Sequence, residues 1–364
     1  MRRTQCLATF PRLVLRLITG AVLACAPAVA QAAGGNPTAA TGQDTVNTST
    51  SPSVISFDAK KYTSLAAAVA AACNGLTPGE LKLPPGTYSV SSPIVMPSNC
   101  MISGPRTAIV AARLNFGTFK NSNPIKNVTF DGFTLTTSGL YFPQGGEHIT
   151  IRNMKFSATA STAAAIGSPA SNILISGNEC ENPASYFCFS IGGTSAPVSG
   201  DHDWIISNNQ MVNCGGNCIL VSGGVGISIQ GNTISGCGDT CIEAGKGTSL
   251  VVVAGNTVDM SSSSLDLTLV GISTRSSQYT LVTGNKVVGN ASNRRGEACY
   301  LAWHGSAAGE TQLEQYVAYV GNEGADCPLG LKVFQTDHFT IGANQFQNNA
   351  TATMIDKKPG GARD

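Results

Sequence analysis

Six side chains that can handle charge, protons or sugar rings fall into one register when five short β-forming segments are aligned. The segments are residues 218–222, 241–246, 271–276, 299–304 and 330–335. Successive side chains of a strand point to opposite faces, so Ile242, Ile272, Tyr300 and Leu331 turn inward together with Ala244, Thr274, Ala302 and Val333. Glu243, Ser273, Leu301 and Lys332 then point outward, followed by Gly245, Arg275, Trp303 and Phe334, and Lys246, Ser276, His304 and Gln335 fall at the turn after each strand. The outward face thus gathers Glu243, Lys246, Arg275, Trp303, His304 and Lys332. Cations neutralise carboxylates and aromatic faces pack on sugar rings, so the mixture suits an acidic polysaccharide. Neutralising a uronate carboxylate acidifies the adjacent C5 proton; a base then removes it and the 4-linked oxygen leaves by β-elimination. Lys246 or His304 is the expected base, since the base must hold a perturbed pKa near working pH, which a Lys among cations or a His can do. Arg275 is the expected carboxylate clamp, and Glu243 the orienting or cation-binding group. Trp303, Lys332 and Phe334 are the expected substrate-binding residues. The competing reading makes all of them solvated groups on a polar outer face.

These residues need a scaffold that repeats, and the sequence carries one. A phrase of alternating apolar residues closed by Asn recurs from about residue 127, as in Asn172-Ile173-Leu174-Ile175-Ser176-Gly177-Asn178 and Gly226-Ile227-Ser228-Ile229-Gln230-Gly231-Asn232. Its closing residues, Asn178, Asn209, Asn232, Asn256, Asn285, Asn322 and Asn344, lie 31, 23, 24, 29, 37 and 22 positions apart. Strand-type units at that period mean a solenoid. The asparagines occupy one phase of the repeat and are expected to form a ladder of stacked amides between coils. No proline falls between residues 201 and 327, which suits strands that must all donate to a ladder.

The pattern resembles right-handed parallel β-helix proteins of the pectate-lyase-like superfamily, over roughly residues 55–350. The resemblance implies an all-β, single-domain solenoid with an N-terminal capping α-helix, which residues 64–73 supply: a Thr or Ser N-cap, an alanine-rich run and an Asn-Gly stop. Glu243-x2-Lys246 followed one coil later by Arg275 is similar to the Lys and Arg pair of the chondroitinase B and alginate lyase branch. That similarity implies a polysaccharide lyase. A non-catalytic glycan-binding or surface structural protein, and a uronan epimerase or glycoside hydrolase, are the alternatives. The Asn-Thr-Asp, Asp-Asp, Gly-His-Gly and Arg-Ile-Lys motifs of polygalacturonases are missing, which sets hydrolysis below elimination. Hydrolysis also needs two carboxylates, and Glu243 stands without an obvious acidic partner on the aligned face, although Asp239 or loop residues such as Glu297 could approach it. Asp201-His202-Asp203 invites comparison with the Asp-Pro-His-Asp signature of mannuronan epimerases, but without the proline it reads as a turn.

The N-terminus and the cysteines set the compartment. Residues 1–30 read as a signal peptide: Arg2, Arg3, Arg12 and Arg16, an apolar run too short to span a membrane, and a small-residue cleavage site at Ala28-Val29-Ala30. A lipoprotein anchored at Cys25 is the alternative. Residues 31–54 read as a flexible leader and 351–364 as a C-terminal tail. Of the 364 residues, 22 are Lys or Arg, 21 Asp or Glu, and 12 Cys. Removing residues 1–30 takes away four arginines and two cysteines, leaving a slightly acidic chain with ten cysteines. That charge argues against a nucleic-acid partner. Ten cysteines in an exported chain read as disulfides rather than zinc ligands. Cys73 with Cys100, Cys180 with Cys188, and Cys299 with Cys327 are candidate pairs. Cys214, Cys218, Cys237 and Cys241 form two C-x3-C units 23 residues apart, open to pairing within or between units. A secreted or periplasmic monomer without a transmembrane segment is expected, with calcium as the candidate cation.

Overall fold

The computed structural model describes residues 53–58, 61–74, 76–112, 117–157, 162–181, 187–192, 201–263, 269–290, 298–303 and 314–356. The proposed signal peptide, most of the leader, His304 and Glu297 lie outside the described residues. Each turn of the chain lays down one strand in each of three sheets. Sheet A runs through 12 strands from Ser53–Ser56 to Thr336–Gly342, sheet B through 11 from Gly86–Val90 to Gln345–Gln347, and sheet C through 11 from Ile94–Val95 to Thr351–Asp356. Every pairing in the three sheets is parallel and joins equivalent strands of adjacent coils, as with Ile173, Trp204, Ile227, Val251 and Thr280 in sheet A. The Asn-terminated phrases are the sheet A strands, and the segments that carry Glu243 to Lys332 are sheet C strands.

The inward residues form a buried core, with Phe119, Phe130, Phe133 and Phe142 packed against one another near the N-terminal end. The N-terminal end is closed by helix α1, Leu65–Ala72, which buries Leu65, Ala68, Val69 and Ala72. Ser64 caps it by accepting from the Ala67 N–H, and Asn74 ends the motif by accepting from the N–H groups of Leu76 and Thr77. At the other end the solenoid runs beyond residue 350. Thr351–Asp356, read from sequence as tail, pairs with the strand Leu329–Phe334 and aligns Ile355 with inward Val333.

The asparagine ladder is continuous. Each amide Nδ2 of Asn178, Asn209, Asn232, Asn256, Asn285 and Asn322 donates to the Oδ1 of the next, ending at Asn344, at 2.9–3.0 Å. Each also donates to a backbone carbonyl, and each next Oδ1 accepts the backbone N–H of the asparagine before it. Buried amides at the turn from sheet A to sheet B are thereby satisfied on every coil. All five disulfides are formed: Cys73–Cys100, Cys180–Cys188, Cys214–Cys218, Cys237–Cys241 and Cys299–Cys327. Both C-x3-C units therefore close locally. The last four bridges stand at the corner between sheets B and C, and Cys188 Sγ lies 3.4 Å from Cys214 Sγ of the next coil.

Candidate functional site

Sheet C register places the outward residues as the alternation requires. Leu220, Glu243, Ser273, Leu301 and Lys332 form one row across five strands, and Ser222, Gly245, Arg275, Trp303 and Phe334 the next. Lys246, Ser276 and Gln335 follow their strands with φ of 55°, 50° and 51°, so these three coils leave sheet C through the same left-handed turn. Glu243, Arg275 and Trp303 come together. Arg275 Nη1 lies 3.8 Å from Glu243 Oε1, and the guanidinium carbon sits 4.5 Å from the centre of the Trp303 ring. Trp303 Nε1 donates to Ser273 Oγ at 3.1 Å, which fixes the ring over the strand below. Gly245 makes the approach possible: a Cβ there would stand 3.1 Å from Arg275 Cβ and 3.2 Å from Glu243 Oε1.

The face is less open than alternation alone implies. Only 12% of the Glu243 side chain and 18% of Arg275 are exposed, and Ser273 and Leu301, although outward, are buried. The solvated-face reading is thus corrected for this part of the row. Burial pushes the Glu243 carboxyl above its ordinary value, opposed by the Arg275 charge, the Asn217 hydrogen bond and the Lys246 charge.

The two C-x3-C loops build the rest of the site. Asn217, inside the Cys214–Cys218 loop, donates Nδ2 to Glu243 Oε2 at 3.0 Å. Asp239, inside the Cys237–Cys241 loop, sits at the exposed rim near enough for its charge to raise Glu243 further. Asp239 is itself raised by desolvation, against the Thr240 backbone hydrogen bond and the Arg275 charge. Asn217 escaped the sequence reading because it lies in a loop; its place three residues after Cys214, one coil before Glu243, was the available signal. Lys246 keeps its backbone in the cluster by donating N–H to the Arg275 carbonyl at 2.8 Å.

Lys332 and Phe334 belong to the same rows but not to the cluster. Lys332 is three strands from Glu243, about 14 Å at ordinary strand spacing, and its ammonium stands 5.6 Å from the Phe334 ring centre. His202 and Asp203 pair at 2.9 Å on sheet A, away from sheet C, with Asp203 at φ 59°. Asp201 is buried, accepting from the Ala170 N–H and the Ser168 hydroxyl. His202 and Asp203 thus open the strand His202–Ser207 rather than lying in a turn, and Asp201 stands just before it. Among the described residues no group of three or more His, Cys, Asp or Glu side chains could hold a metal ion. No helix among them is long and apolar enough to cross a membrane.

Residues 185–358 match the family model described as a right handed beta helix region. No curated protein matches the chain in sequence. Among solved structures, DFA-IIIase from Arthrobacter chlorophenolicus A6 in complex with GF2 is 14% identical, with 76% of this chain and 81% of that chain covered and a TM-score of 0.56. PfbA, a surface protein and adhesin of Streptococcus pneumoniae, is 14% identical over 80% of this chain and 95% of that chain, with a TM-score of 0.49. The A-module of an Azotobacter vinelandii mannuronan C-5 epimerase is 14% identical over 80% and 90%, with a TM-score of 0.45. With the three parallel sheets and their one-strand-per-coil register, these findings make the chain a right-handed parallel β-helix protein.

Proposed function

We propose that this β-helix acts on carbohydrate at the Glu243–Arg275–Trp303 cluster of sheet C, cleaving an acidic, uronic-acid-containing polysaccharide by β-elimination. The carrying observation is the placement of one guanidinium between an aromatic face and a buried carboxyl held above its ordinary pKa. Arg275 neutralises the sugar carboxylate and so acidifies C5–H. Lys246, acting as the free amine, takes that proton and becomes the ammonium; the C5–H electron pair forms the C4–C5 double bond as the C4–O4 bond breaks. Glu243, whose carboxyl burial pushes above its ordinary value, is the acid that donates a proton to the departing O4. The carbohydrate class is supported by a structural neighbour bound to GF2.

Asp239 favours a second reading. A buried acid beside a rim carboxylate is also the equipment of glycosidic hydrolysis, with Glu243 as acid and Asp239 as base or nucleophile. Products separate the two. Incubation of purified protein with pectate, alginate and glycosaminoglycans, with and without calcium, yields unsaturated uronides absorbing in the ultraviolet if elimination operates. New reducing ends without that absorbance would replace elimination by hydrolysis. Neither product, with retained binding, would leave a glycan-binding protein.

A further inference from the structure

Three disulfides stack on successive coils at the corner between sheets B and C, and two of them touch. Cys180 lies in the sheet B strand Glu179–Glu181, and Cys188 stands just before the sheet C strand Phe189–Gly192. One coil on, Cys214 ends the strand Gln210–Cys214 and Cys218 stands just before Ile219–Ser222. Paired strands run about 4.8 Å apart, so bridges at the same corner of adjacent coils come within sulfur contact. Cys188 Sγ and Cys214 Sγ belong to different bridges and stand 3.4 Å apart. A thiolate at Cys214 would therefore already rest against a sulfur of the neighbouring disulfide, which is where thiol–disulfide exchange begins.

One of the two sulfurs can be reached from solvent. A pocket of about 340 Å³ opens at this corner, and Cys214 and Cys237 are among its walls, whereas Cys180 and Cys188 are not. Cys214 keeps a trace of exposed surface, and Cys180 and Cys188 have none. Gly236, at φ 74°, holds the wall back: a Cβ there would stand 2.8 Å from Asn213 Oδ1. No charged side chain lines the pocket, so it admits a neutral thiol without desolvating an ion.

We propose that the Cys214–Cys218 bridge is a thiol-exchange site that takes a small dithiol through this pocket, with Cys188 as the sulfur that receives the exchange. A thiolate of the dithiol attacks Cys214 Sγ, the bond to Cys218 breaks, and Cys218 leaves as a thiolate. The second thiol of the reagent closes the reagent's own disulfide and releases Cys214 as a thiolate. Cys214 then attacks Cys188 Sγ, the Cys180–Cys188 bond breaks, and Cys180 leaves. The dithiol ends as a cyclic disulfide, having lost two electrons and two protons. The protein exchanges two bridges for one, Cys188–Cys214, and gains two thiols, at Cys180 and Cys218. The ring that carries Asn217 is then open, and Asn217 Nδ2 donates to Glu243 Oε2 at 3.0 Å. That consequence for Glu243 rests on the function proposed above; the exchange itself does not.

The test traps thiols in the full chain. Purified protein is treated with equimolar dithiothreitol, alkylated in mild acid and digested with pepsin, and linked peptides are identified by mass spectrometry. A Cys188–Cys214 link with alkylated Cys180 and Cys218 is the expected result. In Cys218→Ser, Cys214 has lost its own partner, so the same link and a free Cys180 are expected without reductant. Cys214 and Cys218 thiols in reduced wild type with no Cys188–Cys214 link overturn the proposal, as does an alkylated Cys214 beside an intact Cys180–Cys188 bridge in Cys218→Ser. The wild-type arm needs no variant, so a Cys218→Ser chain that fails to fold leaves the test standing. Amide exchange over residues 215–217 is expected to rise about tenfold in the exchanged protein; an unchanged rate there overturns the link to Asn217. None of these readouts involves sugar, so failure of the elimination assay leaves them untouched.

Discussion

At the residue scale, burial decides the chemistry available to each acid. Glu243 keeps a partner cation at 3.8 Å, whereas the wholly buried Glu314, which opens the strand Glu314–Val320, is held among the described residues by neutral donors, the N–H and hydroxyl of Ser277. The consequence for stability has a definite sign. Unfolded Glu314 ionises near its ordinary 4.5 and the folded residue near about 8, so between those values folding takes up a proton and stability falls as pH rises. The slope vanishes above pH 8, where both states are ionised. At about 1.4 kcal/mol per unit the loss is at most on the order of 4–5 kcal/mol. Urea unfolding at pH 5 and pH 8 is expected to show this loss in wild type and its absence in Glu314→Gln; parallel behaviour would contradict it. Neither Glu314 nor its network was legible in the sequence, because an acid beginning a strand has the pattern of a solvated turn residue. Gly245 tests the packing of the cluster: Gly245→Ala is expected to fold but to weaken glycan binding about tenfold, as the added methyl meets both Glu243 and Arg275. Unchanged binding by calorimetry would deny their close approach a role.

At the scale of elements, sheet C was readable because a period of two within a strand and a period of one coil between strands fix register together. Ile242, Ile272, Tyr300 and Leu331 could face only the core. The loops were not readable, since nothing periodic says that a five-residue disulfide loop will hold Asn217 against Glu243. The two kinds of bridge should differ in what they support. Closing the Cys73–Cys100 loop is worth about 3.5 kcal/mol on chain-entropy grounds, and closing the Cys237–Cys241 loop about 2 kcal/mol. Replacing Cys237 and Cys241 with serine is expected to cost less stability than replacing Cys73 and Cys100, yet to cost more glycan binding by releasing Asp239. Thermal unfolding and binding measured on both double variants check this, and the same ranking in both assays would contradict it. In the ladder, Asn256→Ala strands buried partners on two sides and should cost about 3 kcal/mol, against about 1 kcal/mol for half-buried Asn344→Ala, measured by denaturant unfolding.

At the scale of the whole solenoid, each coil touches its neighbours alone, so stability is a sum of local terms and the ends are the weak points. Helix α1 covers the N-terminal end, while at the other end Phe339, Ile341 and Phe346 are only partly buried and Ile355 is exposed. Hydrogen exchange is expected to be fastest over residues 336–356 and slowest over 204–285; uniform protection would refute this gradient. The same architecture explains why the candidate site sits mid-solenoid, where Glu243, Arg275 and Trp303 have paired strands on both sides. The measurement that bears most directly on that site is the rate of ultraviolet absorbance gain on acidic polysaccharides for wild type, Arg275→Ala and His202→Ala. Wild type and His202→Ala are expected to produce unsaturated uronides at similar rates, with the rate at least a hundredfold lower in Arg275→Ala. Equal rates in wild type and Arg275→Ala, or no absorbance gain from wild type on any of these polymers, would contradict the assignment.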